Sequence, residues 1–206
     1  MEHKLIIIDG PVGVGKTSII TELSKRLNAL VVPEYIEEQN GVDKLNEYLS
    51  DKSKHAYEFQ LYILNHYRDY IRTQSFIDAL DKTRYVIIER DPLKGITFFA
   101  RKDLNENNMS LLEYNDLYIE AVNVRTEIKE TLNDLSEDNI VTIDTSNQTI
   151  DEIVNDIISN HLDADEIRLT AASKILYSRI NKRNREGEIS AYDMNYINYM
   201  VEYYFH

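Results

Sequence analysis

The chain has 206 residues, 43% hydrophobic and 29% charged, which is long enough to bury a core and too apolar for wholesale disorder. Thirty-six acids against 23 bases give a formal charge of −13, which repels nucleic-acid backbones and anionic membranes and sets both aside as partners. There is no cysteine, so disulfides and thiolate metal sites are excluded, and no apolar run approaches the ~20 residues that cross a bilayer.

In chain order, Leu5–Ile8 is an unbroken β-branched run of the kind buried on both faces of a parallel sheet. Ile19, Ile20, Leu23 and Leu27 then share one helical stripe over residues 16–27. Leu30–Val32 reads as a second strand stopped by Pro33, followed by helical patterning near Asp43–Leu49 and over Tyr57–Ile71. Tyr85–Ile88 is a third buried strand, residues 110–135 read as helix, and Ile140–Ile143 is a fourth strand with an amphipathic helix behind it at 150–158. A short fifth strand, Ile167–Leu169, leads into a helix near Ser173–Lys182, and a last helix runs from about Ser190 to Tyr204. Strands alternating with helices predict an α/β fold: a five-stranded parallel sheet flanked by helices. No repeat, low-complexity tract or Pro/Gly/Ser-rich linker interrupts it, so one domain over 1–206 is predicted, in the cytoplasm because the start lacks a secretory layout.

Ligands of such sheets sit at the carboxyl ends of the strands. Three of the six glycines and one of the three prolines fall just after the first strand, in Gly10-Pro11-Val12-Gly13-Val14-Gly15-Lys16-Thr17-Ser18. This is the phosphate-loop spacing. Glycines let backbone N–H groups converge on phosphate oxygens, the helix N-terminus and Lys16 add positive charge, and Thr17 offers a hydroxyl to Mg²⁺. The strand before it and the helix after it are the context the motif requires, so a nucleoside triphosphate site is predicted, of the P-loop NTPase type.

The second strand ends at Pro33-Glu34, where Glu34 is either a solvated loop acid or a base for an attacking hydroxyl. The third ends at Glu89-Arg90-Asp91-Pro92. There Glu89 can support a Mg²⁺ shell, while Arg90 either bridges a carboxylate and a phosphoryl oxygen or forms a structural ion pair. Residues 179–185 carry four cations (Arg179, Lys182, Arg183 and Arg185) and no acid. A solvated helix end and a nucleic-acid contact are alternatives, but arginines closing over a triphosphate explain the cluster better, as a lid at about 182–189 that excludes water. The five histidines lack metal-ligand spacing, and the tyrosines dense between Tyr192 and Tyr204 read as helix packing or a dimer face.

These pieces, in this order, resemble the deoxynucleoside kinase family and most closely its herpesvirus-type thymidine kinases, through Asp9–Ser18, Val32–Glu34, Phe59-Gln60, Glu89–Pro92 with Phe98-Phe99, and Arg179 through Glu188. The resemblance implies ATP- and Mg²⁺-dependent phosphorylation of a pyrimidine deoxynucleoside, thymidine first, at the 5′-hydroxyl. It implies that Glu34 activates that hydroxyl, Arg90 steadies the phosphoryl group, and Glu89 supports Mg²⁺. Arg179, Arg183 and Arg185 would be the lid cations, and Glu188 and Tyr48 would contact the sugar. Gln60 would read the base edge while Ile63, Tyr67 and Phe99 sandwich the ring. A homodimer is implied as well. An arginine near Tyr67 and an aspartate near Gly95, which cellular members tend to use for the base, are missing here, which favours a thymidine-type pocket. The segment 140–158 looks like one that normally ends such chains yet precedes the lid, so the two edge segments are either exchanged in order or misassigned. The rivals are a thymidylate-type nucleoside monophosphate kinase and a non-catalytic nucleotide-binding subunit.

Overall fold

A computed structural model describes residues 3–37, 40–134, 139–183 and 192–205. The strands are β1 (Lys4–Asp9), β2 (Leu30–Val32), β3 (Tyr85–Glu89), β4 (Ile140–Asp144) and β5 (Glu166–Thr170). They form one sheet in the order β2-β3-β1-β5-β4, and β5 runs parallel to both β1 and β4. The predicted five-stranded parallel sheet is therefore present.

The order answers the question left by the sequence: the two edge segments are exchanged. Strand β5 lies between β1 and β4, with Ile7 opposite Glu166 and Ile167 opposite Val141. Burial explains why. Ile167 and Leu169 are fully buried, as an inner strand requires, whereas Ile140, Thr142 and Asp144 of β4 are exposed, as an edge strand tolerates.

The chain groups into two compact units, each assembled from separated stretches of sequence. One comprises Leu5–Val31, Tyr85–Glu89 and Ser136–His206. It carries the sheet, with α1 (Lys16–Leu27) packed against β3 and against α8 (Ile150–Asn160), and with α9 (Ser173–Arg183) packed against the last helix, α10 (Met194–Phe205), which also meets β5. The core here is Ile6, Ile8, Ile19, Leu23, Ile87, Ile88, Val154, Ile157 and Leu176, all almost fully buried.

The other unit comprises Met1–Lys4, Val32–Arg84 and Arg90–Leu135, and is helical. Its long members are α2 (Gly41–Ser50), α3 (Lys52–Ile71) and α7 (Leu111–Leu132), with α3 packed on both others through α2·α3 and α3·α7 contacts. Helix α7 opens on a capping box in which Ser110 and Glu113 satisfy each other's backbone N–H, a device worth about 1 kcal/mol. Sequence periodicity did not resolve α4 (Gln74–Leu80) or the run of α5 (Pro92–Gly95), a π-helical stretch (Ile96–Ala100) and α6 (Arg101–Asn105), which are too short to show a stripe. Among the described residues no helix is long and apolar enough to cross a membrane.

Candidate active site

The loop after β1 takes the shape its glycines permit. Gly10 has φ +145°, and a Cβ there would stand 2.4 Å from the Leu169 carbonyl oxygen of β5. Gly13 has φ +82°, and a Cβ there would meet Ile180 of α9 at 2.9 Å. Both positions exclude any side chain, so the loop lies directly on the elements that follow it in space.

Lys16, at the start of α1, is buried, and its ammonium donates to the Gly10 and Pro11 carbonyls at 3.1 and 3.3 Å. It also stands 3.6 Å from the Glu89 carboxylate at the end of β3. The Thr17 hydroxyl donates to the other Glu89 oxygen at 3.2 Å. Lysine, threonine and glutamate are thus drawn together, as expected from the loop and the end of the third strand. A hydroxyl and a carboxylate side by side are hard oxygen donors that fit a divalent cation.

Arg179 is placed differently from what a free lid cation suggests. Half-buried on α9, it donates to the Val14 carbonyl and the Thr145 hydroxyl through Nη1 at 3.1 and 3.2 Å, and to the Thr145 carbonyl through Nη2 at 3.1 Å. Thr145 in turn donates to Val14 O at 3.2 Å. The guanidinium therefore braces the phosphate loop from behind β4, a role the cation count alone did not indicate. Arg183 closes α9 and is exposed, while Arg185 and Glu188 lie outside the described residues.

The residues expected to serve an acceptor, Glu34, Tyr48, Gln60, Ile63, Tyr67, Arg90 and Phe99, all belong to the helical unit. Gln60 and Tyr67 on α3 are buried and Ile63 half-buried, consistent with one shared face. Glu34 is half-buried just beyond Pro33, whose carbonyl lies 2.7 Å from His66 Nε2. A carbonyl can only accept, so Nε2 carries the proton here. The next residue, Tyr67, donates its hydroxyl to the Arg90 carbonyl at 3.3 Å. Two consecutive side chains of α3 thus fasten the backbone beside Glu34 and at Arg90. In the sequence His66 is one of five scattered histidines; its place on a helix next to Tyr67 is a signal that becomes legible only once the partner carbonyl is known.

Arg90 adopts φ 72°, a left-handed conformation that non-glycine residues seldom take, and its guanidinium sits 5.0 Å above the Phe99 ring. Asp91, almost fully buried, holds the chain beyond it by capping α5 through Leu93 N and Lys94 N. Its second oxygen lies 2.8 Å from Arg125 Nε of α7, a charge–charge contact. Tyr48 is buried, stacked on Phe59 at 4.6 Å, and donates to both oxygens of Asp103 at 3.2 and 3.0 Å. Burial pushes the Asp103 carboxyl above its ordinary pKa, with the Tyr48 hydroxyl opposing the shift. Asp103, the hydrogen-bond partner of the Tyr48 expected at the sugar, is an acid that sequence reasoning did not single out.

The profile of the deoxynucleoside kinase family matches residues 6–157, more than half of the chain. The chain belongs to the deoxynucleoside kinase family. As a deoxynucleoside kinase it phosphorylates a nucleoside from a nucleotide donor. Among solved structures it is similar to deoxyadenosine kinase from M. mycoides with bound dCTP, at 25% identity and TM-score 0.60, covering 97% of this chain and 80% of that one. It is also similar in fold to the same kinase with bound dATP, at 21% identity and TM-score 0.57, covering 97% of this chain and 81% of that one. No curated protein sequence matches it. The closeness to herpesvirus-type thymidine kinases has no counterpart among these likenesses, which are to deoxyadenosine kinases.

Proposed function

We propose that this deoxynucleoside kinase transfers the terminal phosphoryl group of ATP to the 5′-hydroxyl of a deoxynucleoside, with thymidine as first substrate. What carries the reading is the constellation of buried Lys16 and Glu89 with the Thr17 hydroxyl at the glycine loop, within a chain of this family. Backbone amides of Val12–Ser18, in the loop Gly10–Ser18, and the Lys16 ammonium hold the donor phosphates. Thr17 and Glu89 would hold Mg²⁺, whose charge would offset that of the phosphates. Glu34 accepts the 5′-hydroxyl proton, and Arg90 neutralises the phosphoryl oxygens. Arg179, Arg183 and Arg185 add cationic charge on the donor side. Tyr48 and Glu188 bind the sugar, and Ile63, Tyr67 and Phe99 flank the base.

Gln60 is the specificity element in this reading. Its amide presents one donor and one acceptor side by side, which complements the O4 and N3–H edge of thymine. Reversed, the same amide complements adenine, and the likeness to a deoxyadenosine kinase favours deoxyadenosine as a second reading. Incubating the protein with ATP, Mg²⁺ and each of the four deoxynucleosides, with thymidine monophosphate as a fifth acceptor, separates these. Thymidine as the best acceptor supports the reading, deoxyadenosine as the best replaces the substrate, and transfer only to the monophosphate replaces the reaction class.

We also propose a homodimer through the outer face of α7. Tyr118, Ile119 and Val122 lie there at helical spacing beyond Leu111 and Leu112, all exposed, with Leu112 at 78% and Ile119 at 60%. An apolar patch of this kind is seldom left uncovered. Sedimentation should give a dimer for the native chain and a monomer for Ile119→Asp; a monomeric native chain removes the proposal.

A further inference from the structure

Asp9 ends β1 and is completely buried, immediately before the phosphate loop. Its Oδ1 accepts the Gly10 N–H at 2.7 Å and the hydroxyl of Tyr204 at 2.9 Å. Tyr204 lies in the last turn of α10, itself only 2% exposed, and the two residues are 195 positions apart in the chain. Neither bond belongs to the sheet or helix ladders, so the contact is specific to these side chains.

Its position gives it a function. Gly10 is held on both sides of its Cα: its N–H, in the Asp9–Gly10 peptide, by the Asp9 carboxylate and its C=O, in the Gly10–Pro11 peptide, by the Lys16 ammonium. Gly10 also stands at φ +145° against the Leu169 carbonyl, so its orientation has little freedom to relax. A carboxylate oxygen accepting two donors at these distances makes charge-assisted bonds, roughly twice as strong as neutral ones. Removing the Tyr204 hydroxyl takes one donor from that oxygen and leaves the carboxylate able to swing away from Gly10.

We propose that Tyr204 is a positioning residue for the phosphate loop, acting through Asp9 to fix the Asp9–Gly10 peptide and so the place of Gly10, whose carbonyl Lys16 grips. It touches no substrate; its effect is on how well the loop is preset for the donor phosphates. This rests on the ATP-donor reading above, and it makes the far end of the chain part of the nucleotide site.

The test is ATP binding with Mg²⁺ and no acceptor, by titration calorimetry, alongside thermal unfolding and the nucleoside KM. Tyr204→Phe removes one oxygen and keeps the ring that packs on Tyr203. The expected result is a Kd for ATP raised roughly tenfold, from the loss of a hydrogen bond to a charged group, with the nucleoside KM unchanged. A purely structural bond would lower Tm and leave the affinity of the folded protein intact, which overturns the proposal. Asp9→Asn provides the second arm. It should weaken ATP binding by itself, and adding Tyr204→Phe in that background should cost less than twofold more, because both act through one carboxylate. Fully multiplicative losses would mean that Tyr204 acts by another route. A native chain that binds no ATP sinks both this proposal and the donor reading, whereas native binding with an unaffected Tyr204→Phe sinks this one alone.

Discussion

Replacing Glu34 by glutamine should leave nucleoside binding within a few-fold of native while lowering kcat by roughly 10²–10⁴-fold, the usual contribution of a positioned general base. Glutamine matches glutamate in size and can still hydrogen-bond a hydroxyl, but it cannot take the proton. The loop beside it is held independently of that charge, because His66 grips the Pro33 carbonyl at 2.7 Å from α3. Turnover should therefore fall without a collapse of the local backbone. Equilibrium binding of the nucleoside and single-turnover phosphate transfer check the two halves separately. Retained kcat removes Glu34 from the base role, and lost affinity with retained turnover makes it a sugar ligand instead.

Lys16→Met should have a comparable effect for a different reason, and with a second signature. The ammonium donates to the Gly10 and Pro11 carbonyls and faces Glu89 at 3.6 Å. Both side chains are less than a tenth exposed, so Glu89 would lose a compensating charge where water reaches it poorly. Loss of a charge that stabilises developing negative charge on phosphoryl oxygens costs roughly 10²–10³ in kcat. Breaking one side of a buried ion pair costs about 3–5 kcal/mol where desolvation is complete, and the Thr17 hydroxyl on Glu89 holds this case toward the lower end. Steady-state kinetics and urea unfolding should both register the change. Loss of activity with native stability would mean that Lys16 and Glu89 are not coupled in the ligand-free protein.

The sequence made the sheet and the phosphate loop readable because both are local patterns. Leu5–Ile8 and Tyr85–Ile88 are unbroken apolar runs, and the glycine spacing is confined to nine residues that run into one helix. The helices from 92 to 105 escaped because Asp91 caps a helix of a single turn and a π-helical stretch follows, so no stripe has room to repeat. The supports of the site escaped for another reason. His66 reaches Pro33, Arg179 reaches Thr145 and Val14, and Tyr204 reaches Asp9, each across 33 to 195 residues of intervening chain. Periodicity describes which face of an element is buried, not which distant carbonyl a polar side chain will find there. Arg179 shows the difference. Its residue type and spacing suggested a cation for phosphate, while its position as a brace on Val14 depends on where β4 ends.

The exchanged strands also bear on how the polypeptide matures. Strand β1 gains its neighbour on one side only when Glu166–Thr170 has arrived to meet Ile7–Asp9. Closing a loop of that length is entropically slow, and pairing at such separation raises contact order. During translation β1 must wait, with one flank of its hydrophobic strand uncovered, until the chain has been made through Thr170. Chaperone dependence of the newborn kinase would follow from topology alone, before any question of catalysis arises.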